Sequence, residues 1–193
     1  QIFPRFKGLV YGIAYDPKIK IIYCSLSNGN NLRAIDKNGN IVHIEWTWTG
    51  SVSFGMQFIE DSIYVINTYI NNFRSERIPT NRQLFSIVTV HKRSNPAIIT
   101  ATISAPSQMP YDYVLTGFTI DNNGYQYFLG YKNGNPSKGS SALYITDKNG
   151  NFLKSISLSI PYASGLNIDP SGRLIIGTNS NSDCKLCFLD PIF

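Results

Sequence analysis

The sequence predicts an all-β chain built from about four repeated four-stranded units, and three observations carry that expectation. The pentapeptide Asp36-Lys37-Asn38-Gly39-Asn40 returns letter for letter at Asp147-Lys148-Asn149-Gly150-Asn151, each time between two strand-like segments. A second pattern (glycine, apolar, any residue, apolar or aromatic, then an acidic turn) occurs four times at intervals of roughly forty to sixty residues, led by Gly12, Gly55, Gly117 and Gly165. Aromatic and β-branched residues are abundant, while helical periodicity is weak throughout. Repeats of this length made only of strands are the blades of a β-propeller.

Each element follows from local chemistry. Asn-Gly tolerates positive φ at both positions, so each pentapeptide reads as a two-residue type I′ hairpin turn. The glycine-led segments read as innermost strands, with Ile13, Tyr15, Met56, Phe58, Phe118, Ile120, Leu166 and Ile168 turned into the core by strand alternation. Apolar second strands follow at Ile21 to Cys24, Ile63 to Ile66, Tyr125 to Leu129 and Arg173 to Ile176. Outer strands are expected at Ile41 to Trp48, Ala97 to Ser104 and Phe152 to Ser159. The blades then span about 8–48, 50–104, 112–159 and 161–193, and together they form a single propeller domain over 1–193.

The fourth blade stops one strand short, whereas Ile2 to Phe6 is a surplus strand before the first. That piece is expected to pair beside Lys185 to Leu189 and join the termini, since an unpaired edge exposes backbone donors and acceptors. Pro4 is tolerated at such an outermost position. The same strand of a neighbouring molecule, with Ile2, Phe3 and Phe6, would instead give self-association.

At 193 residues the chain is long enough to bury one good core. No apolar run is long enough to span a bilayer and no signal peptide is intact. A start at Gln1 suggests processing, hence a secreted or cell-surface protein. The net charge of +5 and pI near 9.1 come from lysines and arginines scattered over turns. Without a basic helix or an aromatic-basic RNA-binding motif, nucleic acid is disfavoured as a partner. Cys184 and Cys187 have the spacing of a metal or redox pair, but residues three apart in a strand point to opposite faces. They read as half-buried strand cysteines, or as one partner in a disulfide with Cys24.

Ser164-Gly165-Leu166-Asn167-Ile168-Asp169-Pro170-Ser171-Gly172-Arg173-Leu174-Ile175-Ile176-Gly177 resembles an NHL-type propeller blade. Gly12-Ile13-Ala14-Tyr15-Asp16-Pro17 through Tyr23 is similar to that pattern and to the lipoprotein-receptor type of blade, whose signature is degenerate at Tyr23-Cys24-Ser25-Leu26. Those families usually close with six blades. A four-bladed ring, a fragment of a larger propeller and a ring completed by another chain all remain open, the first being preferred. The resemblance also extends to gluconolactonase-like enzymes, which hold a divalent cation with acidic and amide side chains. It would make Asp16, Asp61, Asp121 and Asp169 candidate ligands, although each sits where turn-forming aspartates normally sit.

No Gly-x-Ser-x-Gly elbow, His-Glu-x-x-His or P-loop is present, and His43 and His91 fall in separate blades. No catalytic residue, metal ligand or cofactor site is therefore assigned. Binding residues are expected among the aromatics: Trp46 and Trp48 alternate on one face of an outer strand, and Tyr111 and Tyr113 alternate before the third blade. Arg74, Arg77 and Arg82 lie in the longest polar insertion, the expected docking point for an acidic partner. The preferred function is a secreted, non-catalytic binding or assembly module with a protein, glycan or self ligand. The alternative is a metal-dependent lactonase-like hydrolase.

Overall fold

A computed structural model describes residues 10–26, 32–42, 52–70, 84–132, 141–160, 162–178 and 185–192. Every regular element among them is a strand. Blade 1 holds β1 (Val10–Asp16), β2 (Ile21–Leu26), β3 (Leu32–Ile35) and β4 (Ile41–Val42). Blade 2 holds β5 (Val52–Ile59), β6 (Ser62–Ile70), β7 (Leu84–Lys92) and β8 (Asn95–Ser104). Blade 3 holds β9 (Tyr113–Ile120), β10 (Gln126–Lys132), β11 (Ser141–Thr146) and β12 (Phe152–Leu158), and blade 4 holds β13 (Ala163–Ile168), β14 (Leu174–Thr178) and β15 (Leu186–Leu189). In every sheet consecutive strands are hydrogen-bonded neighbours, so each is a meander, and among the described residues the fourth has three strands. The protein is thus all-β with the four blades of a β-propeller. The expected pairing of residues 1–6 lies outside the described residues, as do His43, Cys184 and the insertion at 71–82.

The repeated pentapeptide does form a hairpin turn, but not the two-residue type I′ turn expected. Only Gly39 and Gly150 take positive φ, at 87° and 85°. The carboxylate causes the difference: Asp36 Oδ1 accepts the N–H groups of Asn38 and Asn40 at 2.8 and 2.9 Å, and Asp147 Oδ1 does the same for Asn149 and Asn151. With Gly39 N–H donating to Asp36 O and Asp36 N–H donating to Asn40 O, both at 3.0 Å, the loop opens to three residues and ends in a left-handed glycine. Asp121 and Asp169 build the same turn, closing on Gly124 and Gly172.

The chain packs as two compact units, Gln1–Asn67 with Val88–Ile103, and Thr68–Ile87 with Ser104–Phe193. In the first, Ala14, Tyr23 and Ala34 of blade 1 meet Met56, Ile63 and Val65 of blade 2, with Phe58 tilted against Tyr23 at 5.2 Å. Met56 is in the core as expected, whereas Ile13 and Tyr15 are 67% and 54% exposed. The correction is one of parity: blade 1 turns Ala14 and Asp16 toward blade 2, which leaves Ile13 and Tyr15 on the opposite face.

Asp16 is buried and held by Arg93 of blade 2, whose Nε donates to Oδ2 at 2.8 Å while a terminal nitrogen bonds Oδ1. Arg93 also donates to Glu60 O at 2.7 Å and lies 5.4 Å over the Phe58 ring. One guanidinium therefore fastens two sheets.

In the second unit Tyr127, Leu129, Leu143 and Ile145 of blade 3 pack on Leu174 and Ile176 of blade 4, with Leu166 and Ile168 at the margin. Phe118 is fully buried and edge-on to Phe128 at 5.0 Å. Glycine is required at position 117, because a Cβ there would stand 2.5 Å from Leu166 Cβ. Entry into blade 4 is fixed by two buried hydroxyls: Thr116 Oγ1 donates to Ala163 O at 2.6 Å, and Ser141 Oγ accepts from Ala163 N at 3.1 Å. Cys24 and Cys187 carry free thiols.

Candidate functional site

The two ends of each sheet differ in chemistry, and this decides where a site can lie. At the end with the short turns the recurring aspartates are occupied by turn bonds or by bridges to a neighbouring blade. Asp36 Oδ2 and Asp147 Oδ2 accept the side-chain amides of Asn40 and Asn151, and Asp121 Oδ2 accepts the Tyr127 hydroxyl at 3.0 Å. Asp169 takes the Ser171 hydroxyl at 2.6 Å and Arg173 Nε at 2.9 Å, which brings its carboxyl down to about 2. Asp61 bonds Lys18. For Asp16, burial works against the charged form, but the bonds from Arg93 and from the Ile19 and Lys18 amides outweigh it and hold the carboxyl low. Among the described residues no three acidic, histidine or cysteine side chains converge as a metal site. The four aspartates that the family resemblance offered as ligands act as turn and bridge residues instead.

A second apparent site is also structural. Thr89 Oγ1 lies 2.8 Å from His91 Nε2, the contact expected of a hydroxyl nucleophile and its base. His91 Nδ1 lies 2.7 Å from Pro96 O, which requires the proton on Nδ1 and leaves Nε2 to accept from Thr89. Asn67 Nδ2 donates to Thr89 Oγ1 at 2.8 Å, and all three side chains are buried inside blade 2. Desolvation pushes the imidazole pKa below 6.5. The array is a satisfied polar chain tying β6 to β7 and β8, closed to any substrate.

The opposite end of blade 3 is rich in aromatic side chains. Two backbone bonds, Met109 N–H to Pro106 O at 2.9 Å and Tyr113 N–H to Pro110 O at 3.0 Å, stiffen the segment that leads into β9. Met109 is buried against Gly130 and anchors it. Tyr111, at the apex, is 70% exposed. Tyr113 does not share its setting, as the expected alternation required: it begins β9, half-buried and edge-on to Tyr144 at 6.2 Å. Burial, with Tyr113 and Asp112 nearby, raises the Tyr144 hydroxyl to about 12, so it stays protonated.

Antiparallel pairing brings Lys132 opposite Tyr113, and Lys132 Nζ bridges Asp112 at 3.4 Å, both half-exposed. On the neighbouring row Tyr131 stands edge-on to Tyr162 at 5.5 Å. Tyr162 has φ of 46°, unusual for a bulky residue, and it precedes the clamped Ala163. Tyr131, Tyr162, Lys132 and Asp112 were missed from the sequence because strand pairing alone gathers them. Trp46, Trp48, Arg74, Arg77 and Arg82 lie outside the described residues.

No family model matches this sequence, and no curated protein matches it. Solved structures do resemble the fold. The soluble aldose sugar dehydrogenase of Escherichia coli aligns over 96% of this chain and 61% of its own, at 12% identity and a TM-score of 0.62. A chain of the nidogen/laminin complex aligns over 93% and 60%, at 14% identity and 0.57. A gluconolactonase of Xanthomonas campestris aligns over 94% and 72%, at 13% and 0.53. The chain thus spans about three-fifths of the first of these, and the likeness shows the propeller fold alone.

Proposed function

We propose that this chain is a non-catalytic binding module that presents the tyrosine-bearing end of blade 3 to a glycan. The observation that carries the proposal is Tyr111, 70% exposed on a doubly hydrogen-bonded turn. An exposed ring held in place offers a flat apolar face at little ordering cost, suited to the C–H face of a pyranose. The Asp112–Lys132 pair beside the turn supplies an acceptor and a donor for sugar hydroxyls. Against the hydrolase alternative stands the commitment of Asp16, Asp121 and Asp169 to turn and bridge bonds. A secreted or cell-surface setting, where glycans are displayed, belongs to the same proposal.

The test is an array of immobilised glycans probed with the parent and with Tyr111→Ala. The expected result is selective binding by the parent and a loss of tenfold or more in the variant, at an unchanged melting temperature. Equal binding by both proteins, or binding of no glycan by the parent, would overturn the proposal. Turnover of a lactone by the parent with added divalent cation would favour the hydrolase.

A further inference from the structure

Two hairpin tips of blade 3 carry the same reactive pair in different surroundings. Five Asn-Gly dipeptides occur in the sequence, and those at 28–29 and 133–134 lie outside the described residues. Asn38-Gly39 is on blade 1, and the remaining two share blade 3. There Asn123-Gly124 and Asn149-Gly150 each follow a turn aspartate and place their glycine in the left-handed region, at φ of 87° and 85°. In each tip the glycine N–H donates to the aspartate carbonyl at 3.0 Å, and the asparagine N–H donates to the carboxylate Oδ1 at 2.9 and 2.8 Å. Glycine has no Cβ to shield its nitrogen, so that nitrogen and the preceding carboxamide carbon can close a cyclic imide once the turn opens.

What holds the aspartate differs between the two. Asp121 Oδ2 accepts the Tyr127 hydroxyl at 3.0 Å, and Tyr127 is buried in the core between blades 3 and 4. A Cβ on Gly124 would stand 3.1 Å from Lys148 Cβ, so the neighbouring tip packs on this glycine. Asp147 Oδ2 instead accepts the side-chain amide of Asn151, an exposed group of the same tip, at 2.8 Å. A Cβ on Gly150 meets nothing within 4 Å, and Lys148, Asn149 and Gly150 are all exposed. One tip is pinned to the core, and the other is held by its own residues.

We propose that Asn149 is a site of spontaneous covalent modification, and that Asp147 sets its rate by holding the turn closed. When the tip opens, base removes the amide proton of Gly150 and the nitrogen attacks Asn149 Cγ. The new C–N bond forms as the Cγ–Nδ2 bond breaks, and the side-chain nitrogen leaves as ammonia after taking a proton from water. Solvent water then opens the cyclic imide at either carbonyl, giving aspartate or isoaspartate with no change of oxidation state. The product adds a negative charge beside Asp147, and the isoaspartyl form lengthens the main chain by a methylene inside a turn whose bonds depend on its span. Blade 4 shows that the turn does not need the asparagine: Ser171 stands in its place and still donates its N–H to Asp169 Oδ1 at 2.8 Å.

Incubating the folded protein in warm, mildly alkaline buffer and mapping its peptides by mass spectrometry tests this. Asn149 should convert to the acid about tenfold faster than Asn123 or more, because opening the Asp121 tip also breaks the bond from buried Tyr127. Asp147→Ala should speed conversion of Asn149 by about tenfold and change Asn123 far less, and Asn149→Ser should remove the signal. Circular dichroism checks that the variants fold. Asn151→Ala, which deletes the side-chain bond to Asp147 Oδ2, should give a smaller acceleration and serves if Asp147→Ala fails to fold. Asn123 converting as fast as Asn149 overturns the proposal, as does a folded Asp147→Ala or Asn151→Ala protein that converts no faster than the parent. So does a parent whose Asn149 stays intact while a free Asp-Lys-Asn-Gly-Asn peptide is fully converted under the same conditions.

Discussion

Replacing Arg93 by methionine keeps much of the side-chain stem but removes the guanidinium that joins blades 1 and 2. Asp16 would remain buried with only the Lys18 and Ile19 amides at 2.9 and 3.3 Å, and the bond to Glu60 O would also go. Removing one partner of a buried pair costs about 3–5 kcal/mol, and the surviving amide bonds place this case near the lower end, about 3 kcal/mol. For a chain of this size that corresponds to a fall of about 6–12 °C in melting temperature. Urea titration followed by fluorescence measures it, and Asp16→Asn alone and in combination completes a double-mutant cycle whose coupling should exceed about 1 kcal/mol.

The pH dependence of this pair has a definite sign. The folded-state pKa of Asp16 lies below the unfolded 3.8, so the stability it contributes is complete above pH 3.8 and disappears as pH falls through the folded value. The gap between parent and variant should therefore narrow in acid. A loss under about 1 kcal/mol at neutral pH with no coupling would refute the reasoning.

Other expectations follow from single contacts. Phe118→Ala should cost about 3–5 kcal/mol, measured by the same titration, because removing a fully buried ring set edge-on to Phe128 leaves a cavity. Gly117→Ala should cost about 1–3 kcal/mol, since its Cβ must displace Leu166, while Gly165→Ala, with open space around it, should stay within about half a kcal/mol. Gly150→Ala isolates the conformational cost of φ at 85° with no neighbour within 4 Å, and about 1 kcal/mol is expected from thermal melts. His91 has a folded pKa below the unfolded 6.5, so its contribution is intact above pH 6.5 and declines below it. His91→Gln should flatten that part of the stability–pH curve, and an unchanged slope would count against the buried-imidazole reading.

The blade pattern was legible because it rests on short-range chemistry. A glycine-led apolar alternation, an Asp-x-x-Gly turn and a β-rich composition specify strand, turn and strand without reference to anything distant. Which face of a strand is covered depends on the neighbouring sheet, and that is why Ile13 and Tyr15 were assigned to the core while Ala14 and Asp16 occupy it. The turn type was misread for a local reason: Asn-Gly was weighed without the carboxylate two residues earlier, which captures two amides and lengthens the loop. Nothing in the sequence near Asp16 pointed to Arg93, because the bond joins hairpins of different blades. Tyr111 could be found as an aromatic in a proline-bearing segment, but Tyr131 and Tyr162 meet only once β10 and the approach to β13 are in place.

The hydroxyl clamp at Ala163 has a consequence for where this polypeptide can be interrupted. The turn at Asp147–Asn151 satisfies its own polar groups and projects into solvent, so a reporter peptide inserted after Asn149 disturbs only that hairpin tip. Ala163, by contrast, has both its amide and its carbonyl committed to Thr116 and Ser141 of the preceding sheet. An insertion there would strand two buried hydroxyls and detach the last three strands from their support. Exposed hairpin tips are thus the permissive grafting points of this scaffold, and the joints between sheets are where its chain cannot be lengthened.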